Sequence, residues 1–543
     1  MPVTVGRIWH LSNIVVAVVT DRAEAIDVSA GFREQLYQCM TRRADALFEL
    51  ADALLCTDGP VKTLVGLSLA PEHRRGHGAM YDALNHGRID VESLRRRLAG
   101  LPLPRAADGR LVLAVDVSPW LRPDGDCSPQ RSFCHTYGRG EDEHRMIPGW
   151  PYSIIAALET GGTSWTALLD AVRLPPGADV TTITCAQVRQ LVDGTTAAGQ
   201  WKPGDRDVLI VLDAGYEAPR IAWMLRDLPI EILGRMRSDR VLRRPTPPRV
   251  YQPLGGRPAK HGGEFVFGDP ATWDIEHAVT HTNTRLYGQV RAQAWDRLHP
   301  RLTRRAAWVD HDQPLLIIEG PVIRLNVDHL PSRGEPKPLW LWWSKVDATA
   351  ADVDRCWQAF LRRFDIEHTF RLLKQTLGWT TPHLREPAAA DRWTWLVLAA
   401  HTQLRLARPL AQDLRRAWER PMAPERLTPA RVRRGFRNLR AANPSPAHAP
   451  KPGRPGPGRP PGSRNRQTAA RHDVGLILVT GQAHQRPTHP RRAPSPADLV
   501  KRQAQGVAHG AALPPDQPGV PEEPQMVRDG RGVRRDHLGQ VGG

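Results

Sequence analysis

The chain has 543 residues, 41% of them hydrophobic, which is room for two or three domains with a substantial core. A formal charge of +18 points to a polyanionic partner, nucleic acid first and an anionic membrane surface second. Six scattered cysteines make no secreted disulfide framework, and the apolar run over residues 14–19 is too short to span a bilayer and lacks a cleavage site. A basic, soluble protein of a reducing cytosol is expected.

Residues 1–30 show no sustained periodicity. From Phe32 to Leu55 apolar residues recur at helical spacing until Gly59-Pro60 stops them, and helical blocks follow over 61–69 and about 80–98. His73-Arg74-Arg75-Gly76-His77-Gly78, with Arg88 and Arg95-Arg96-Arg97, makes residues 1–104 an N-terminal helical domain whose basic loop could hold DNA backbone. A solvated basic surface is the plainer alternative.

After Pro102 and Pro104 comes Leu111-Val112-Leu113-Ala114-Val115-Asp116-Val117, a buried-strand composition carrying one costly carboxylate. Strand-like runs follow over 132–137 and 152–158, then a helical block over 163–172. Cys127, Cys134, His135 and His144 match no common zinc spacing. A helix is expected over 180–197. Val208-Leu209-Ile210-Val211-Leu212-Asp213 then repeats the first pattern, an apolar run ending in an acid. A helix over 221–228 and a strand over 231–237, with arginines alternating out of it, complete a core segment over 105–243.

Residues 244–344 are rich in Pro, Gly and β-formers and are expected to form a β-rich insertion domain. Trp273, Trp295, Trp308, Trp340, Trp342 and Trp343 lie there. Most are expected in the core, with one or two free to stack on an unpaired base, worth roughly 1–3 kcal/mol per base. The loop over 256–261 could touch phosphate. Residues 345–441 return to helices. Within a helical reading over 352–378, Phe360, Arg363, Glu367 and Lys374 fall at i, i+3, i+7 and i+14, a stripe about 60° wide. A solvated face with ordinary charge pairs competes with a functional one. From 442 to 543 the composition turns to Pro, Gly, Arg and Ala, and a disordered basic tail is expected. Two Gly-Arg-Pro units in it, at Arg454 and Arg459, resemble minor-groove AT-hook cores, with a flexible linker as the alternative.

Asp116 and Asp213 at strand ends and Glu367 on a covering helix would form a cup of oxygen ligands suited to Mg²⁺. Two such ions would activate a water or a 3′-hydroxyl and stabilise the leaving oxygen of an in-line phosphoryl displacement. Arg363 and Lys374 would face the phosphate backbone. Phe360 would offer an apolar surface to a sugar or base.

The order Asp116, Asp213, Glu367 resembles the DDE triad of bacterial insertion-sequence transposases with a ribonuclease H-like fold. Phe360, Arg363, Glu367 and Lys374 resemble the Tyr-(2)-Arg-(3)-Glu-(6)-Lys signature of one cut-and-paste group, with Phe360 replacing the Tyr and lacking its hydroxyl. The resemblance runs over roughly 32–440. It implies an α/β ribonuclease H-like core interrupted by the β-rich insertion, with Asp116, Asp213 and Glu367 as catalytic metal ligands and Phe360, Arg363 and Lys374 at DNA. It further implies two Mg²⁺ ions, replaceable by Mn²⁺, and a homodimer on double-stranded terminal inverted repeats and target DNA. A bacterial, cytoplasmic, nucleoid-associated enzyme of DNA transposition and recombination, with no membrane partner, is the resulting expectation. A nuclease without strand transfer and a non-catalytic DNA-binding relic are the alternatives. Residues 1–30 and those past about 473 do not look family-like, which reads as a shifted frame or read-through.

Overall fold

The computed structural model describes residues 22–137, 144–161, 163–248, 259–303, 308–309, 312, 315–331, 334–442, 445–451 and 468–475. Its N-terminal part holds helices α1 (Arg22–Cys39), α2 (Ala44–Cys56), α3 (Leu64–Ser68), α4 (His77–His86) and α5 (Val91–Ala99). α2 is built of strong helix formers and is buried all round from Ala46 to Cys56. The two acids in that stretch survive burial because guanidinium groups reach them. Arg33 and Arg440 lie 2.8 Å and 2.9 Å from Asp52, and Arg74 lies 2.7 Å from Glu49.

α1 begins at Arg22, so part of the stretch that reads without periodicity is helical. Buried Ser29 and Arg33 interrupt the apolar pattern there, and Arg33 is tolerated because it bonds Asp52 and Gln403. The single block expected over 80–98 is two helices. Gly87 ends α4, a two-residue strand Arg88–Ile89 pairs with Met40–Arg42, and Asp90 caps α5 by accepting from Ser93 N.

The centre of the molecule is one ten-stranded mixed sheet. Its strands are β1 (Val112–Leu121), β2 (Ser132–Tyr137), β3 (His144–Leu158), β4 (Thr166–Arg173), β5 (Val208–Leu212), β6 (Ile230–Met236), β7 (Ala278–Thr284), β8 (Gly288–Leu298), β9 (Gly320–Val327) and β10 (Leu339–Trp343). The spatial order is β7-β8-β9-β10-β6-β5-β1-β3-β2, with β4 also paired to β3. β1, β5 and β6 are mutually parallel and every other pairing is antiparallel. Helices α6 (Val180–Ala197) and α7 (Ala218–Met224) connect β4 to β5 and β5 to β6. Gly234 on β6 permits the close approach of α7, since a Cβ there would lie 2.3 Å from the Ala218 Cβ.

Three expectations change here. The helical block over 163–172 is strand β4. Its first six residues are all buried, and a run covered on both faces loses the alternation that marks a strand. The stretch over 244–344 does not build a sheet of its own; apart from Glu264–Val266, which pairs with Val241–Arg243, its strands join the central sheet. Its strands β7–β10 continue the central sheet, because the open edge of β6 is filled by β10 with Trp342 opposite Gly234. Most of the aromatic residues there pack on one another, as expected, while half-buried Trp308 stands apart with the Arg220 guanidinium 5.6 Å from its ring centre. Phe267 and Trp340 stack at 4.4 Å, Trp273 and Trp295 sit 5.4 Å apart, and Arg324 lies over Trp273 at 5.1 Å. These rings form core and not an open platform for bases.

The C-terminal part holds α8 (Ala350–Arg362), α9 (Phe364–Arg371), a π-wound turn at Leu372–Thr376, α10 (Pro387–Ala407) and α11 (Pro429–Ala442). A Thr349–Asp352 capping box starts α8. Within the stretch expected to be disordered, residues 445–451 and 468–475 pack on the body. Arg74 Nη2 donates to Ala447 O at 2.9 Å, and Gly475 N donates to Arg131 O at 2.9 Å beside β2. Arg454 and Arg459 lie outside the described residues. No helix among the described residues is long and apolar enough to cross a membrane.

α10 runs through the core and buries His401 completely, 5.9 Å from the Trp165 ring, with neither ring nitrogen hydrogen-bonded among the described residues. Burial pushes this imidazole down from 6.5 to about 3, and the Arg405 charge adds to the shift. Between those values the unfolded chain binds a proton that the folded chain does not, so stability rises with pH across that window and is lost as pH falls through it. The slope from this one group is at most about 1.4 kcal/mol per pH unit. His401→Leu is expected to flatten the fall in thermal midpoint between pH 6.5 and pH 4. An unchanged fall in the variant would assign the acid sensitivity elsewhere.

Candidate active site

The parallel pairing of β1 with β5 brings the first two acids together. Val115 is opposite Leu212, so the next residue on each strand, Asp116 and Asp213, stands at the same level of the sheet. Strands at this spacing put neighbouring backbones about 5 Å apart. Glu367 arrives from α9, which lies on the sheet and is held there by the Thr369 hydroxyl, 2.9 Å from the Thr166 hydroxyl of β4.

Arg363, between α8 and α9, ties the three acids to one guanidinium. Its Nη1 donates to Asp116 Oδ2 at 2.8 Å, and its Nη2 donates to Glu367 Oε1 at 3.1 Å and sits 3.6 Å from Asp213 Oδ2. The Arg363 side chain is only 2% exposed. It therefore turns inward to the carboxylates, and its expected place against a phosphate backbone is corrected. Phe360 is fully buried, and its ring and that of Phe364 flank the guanidinium at 5.6 Å and 5.0 Å. The surface offered to a sugar or base is thus a packing face that holds Arg363.

The stripe of four residues does not survive as one helix face. The turn Leu372–Thr376 that carries Lys374 is π-wound, with Leu377 N donating to Leu372 O at 3.0 Å. Lys374 Nζ lies 5.7 Å from the Trp379 ring centre. Burial lowers its ammonium to about 8, opposed by the nearby Cys134 and Asp116. It is the one basic group of the stripe poised to titrate near neutral pH.

The three acids share one site, and burial sets the direction of the Asp116 and Glu367 shifts. Burial raises the Asp116 carboxyl to about 7; Arg363 opposes the rise, while Asp213 and Glu367 add to it. Glu367 is raised too, by burial first and by Asp213, against the pull of Arg363. For Arg363 burial works downward, but the three acids outweigh it and hold the guanidinium above its ordinary value. Asp213 Oδ1 is buried with no hydrogen-bond partner among the described residues, and Arg235 Nη1 of β6 reaches only to 3.6 Å. Among the described residues no three acid, His or Cys side chains stand as a ready-made metal cage. The donor set nevertheless fits a hard divalent cation, with carboxylate oxygens from three elements and one buried oxygen without a hydrogen-bond partner among the described residues. Such a cation would compete with Arg363 for the same oxygens.

Arg235 was legible only as one of the alternating arginines after the second acid; nothing in that pattern told it from Arg237. Also on α9, Asp365 is raised to about 7 by burial, opposed by Arg362. Arg362 and Arg408 both reach Glu159 at the end of β3. The expected basic loop is mostly spent on internal pairs. Arg75 bonds Glu49 and lies 3.1 Å from Asp45, Arg74 bonds Glu49, and Lys260 of the second loop donates to Leu315 O at 2.6 Å.

Residues 35–301 match the family described as DDE superfamily endonuclease. The matched span contains Asp116 and Asp213 and ends before Glu367. No curated protein matches the chain. The match supports a nuclease or transposase of the DDE type, acting on DNA and, as such enzymes generally do, with divalent metal.

Proposed function

With that match as premise, we propose that the chain is a DDE transposase that binds the terminal inverted repeats of its element as a dimer, cuts the DNA and joins the freed 3′ ends to target DNA. The observation that carries this reading is the convergence of Asp116, Asp213 and Glu367 on the single guanidinium of Arg363. A ribonuclease H-like core is supported by the order β4-β3-β1-β5-β6, three antiparallel strands beside two parallel ones.

Asp116, Asp213 and Glu367 would hold two Mg²⁺ or Mn²⁺ ions, which when bound supply Lewis-acid activation of the attacking oxygen and stabilisation of the leaving one. The residues themselves do the rest. Asp116 would hold such an ion as its carboxylate, so its proton would have to leave first. Arg363, clamped by Phe360 and Phe364, fixes the carboxylates at the spacing of the sheet and helix. Lys374, close enough to Asp116 to feel its charge, would present an ammonium to the scissile phosphate. Arg454 and Arg459 would add minor-groove contacts to the duplex.

The test uses purified full-length protein, Mg²⁺ and labelled duplexes carrying the DNA that flanks the gene. Nicks, hairpins and joined products are read on denaturing gels. Cleavage at the ends followed by joining is the expected result. Cleavage without joining would replace transposition by a simple nuclease, and binding without cleavage would leave a DNA-binding relic.

A further inference from the structure

α10 and α11 are joined by residues 408–428, which carry a feature the proposed reaction does not use. Trp418 is 68% exposed, an unusual setting for an indole. The loop that presents it is locked from below. Asp413 accepts from Met422 N at 2.9 Å and from Arg431 Nη1 at 3.1 Å. Glu419 is buried and accepts from Arg416 N at 2.9 Å and from Arg434 Nη2 at 2.6 Å. Arg431 Nη1 also donates to Arg420 O at 3.0 Å. Both acids on this part of the loop are thereby tied to α11.

What remains on the outside is aromatic and positive. Arg415, Arg416 and Arg420 are exposed, and the Arg416 guanidinium lies over the Trp418 ring at 5.5 Å. Leu414 sits beside them, 39% exposed. A flat ring with a guanidinium at its face and cations on both sides complements a partner that alternates π-faces with negative charge. Single-stranded nucleic acid has that pattern. Paired duplex does not, because its base faces are stacked on one another.

We propose that the loop over residues 411–421, through Trp418 with Arg415 and Arg420, is a docking site for single-stranded DNA, in which a base stacks on the indole and the adjoining phosphates meet the Arg415 and Arg420 guanidinium groups. The site rests on the DNA reading above and lies outside the carboxylate cluster. Because the loop is pre-ordered by Asp413 and Glu419, little is lost in ordering it when a strand binds.

The experiment compares full-length wild type with Trp418→Ala, Trp418→Phe and the double variant Arg415→Ala/Arg420→Ala. Binding is measured by fluorescence anisotropy on a labelled oligo(dT) strand and on a fully paired duplex of the same length. Trp418→Ala is expected to weaken binding to the single strand about tenfold and to change duplex binding less than about twofold. Trp418→Phe should retain most of the single-strand affinity, and the arginine double variant should lower the salt dependence of single-strand binding. Two results overturn the site alone: a wild type that binds duplex but not the single strand, and a Trp418→Ala protein as tight on the single strand as wild type. Unchanged DNA binding with a lost oligomer in sedimentation would reassign the indole to a protein contact. A wild type that binds neither DNA overturns the site together with the DNA reading.

Discussion

Glu367→Gln is expected to lower DNA cleavage by about 10²–10³-fold or more while leaving duplex binding within about twofold. The substitution keeps the size of the side chain and removes its charge. Arg363 keeps its 2.8 Å bond to Asp116, so the fold around the site should hold. The readout is the rate of nicking under single-turnover conditions beside an anisotropy titration. Cleavage at the wild-type rate would remove Glu367 from the reaction. Asp365, the next acid on α9, would then be the residue to replace, since it is buried and raised to about 7.

Arg363→Met is expected to destabilise the metal-free protein by about 3–5 kcal/mol, because it leaves buried acids without their shared cation. Protonation of Asp116, whose carboxyl already stands near 7, would soften that loss at lower pH. The informative comparison is with and without Mg²⁺. If the acids form a metal cup, Mg²⁺ should recover a large part of the lost thermal midpoint in Arg363→Met and a smaller part in the Arg363→Met/Glu367→Gln double variant. Equal losses with and without Mg²⁺ would show that Arg363 is a structural bridge and that the carboxylates do not take a cation. A multi-part chain of this size need not unfold in one step, so the midpoints are compared between variants under one protocol.

Asp116 and Asp213 were legible because a carboxylate inside an apolar run is costly and must be compensated somewhere. Glu367 was legible through spacing on a helix, and α6 ran over the residues its periodicity marked. What the spacing could not carry was the direction of the stripe. It placed Arg363 and Lys374 alike against a phosphate backbone, on the assumption of one continuous α-helix. The structure breaks that helix at Arg363 and winds it as a π-turn at Lys374, so Arg363 closes on the carboxylates while Lys374 lies against Trp379 within reach of the Asp116 charge.

Composition and local periodicity therefore determined which segments are apolar and which charges sit where water is scarce, and the positive balance pointed to a polyanionic partner. Only the tertiary structure decided which charges meet. Arg363 and Asp116 are 247 residues apart, and an ion pair between distant positions leaves no mark on the periodicity around either one. The same holds for β4, where cover on both faces erased the alternation, and for β10, whose place beside β6 is a matter of backbone hydrogen bonds that every residue can make. Periodicity reports burial, which is local. The choice of partner is set by the whole packed chain.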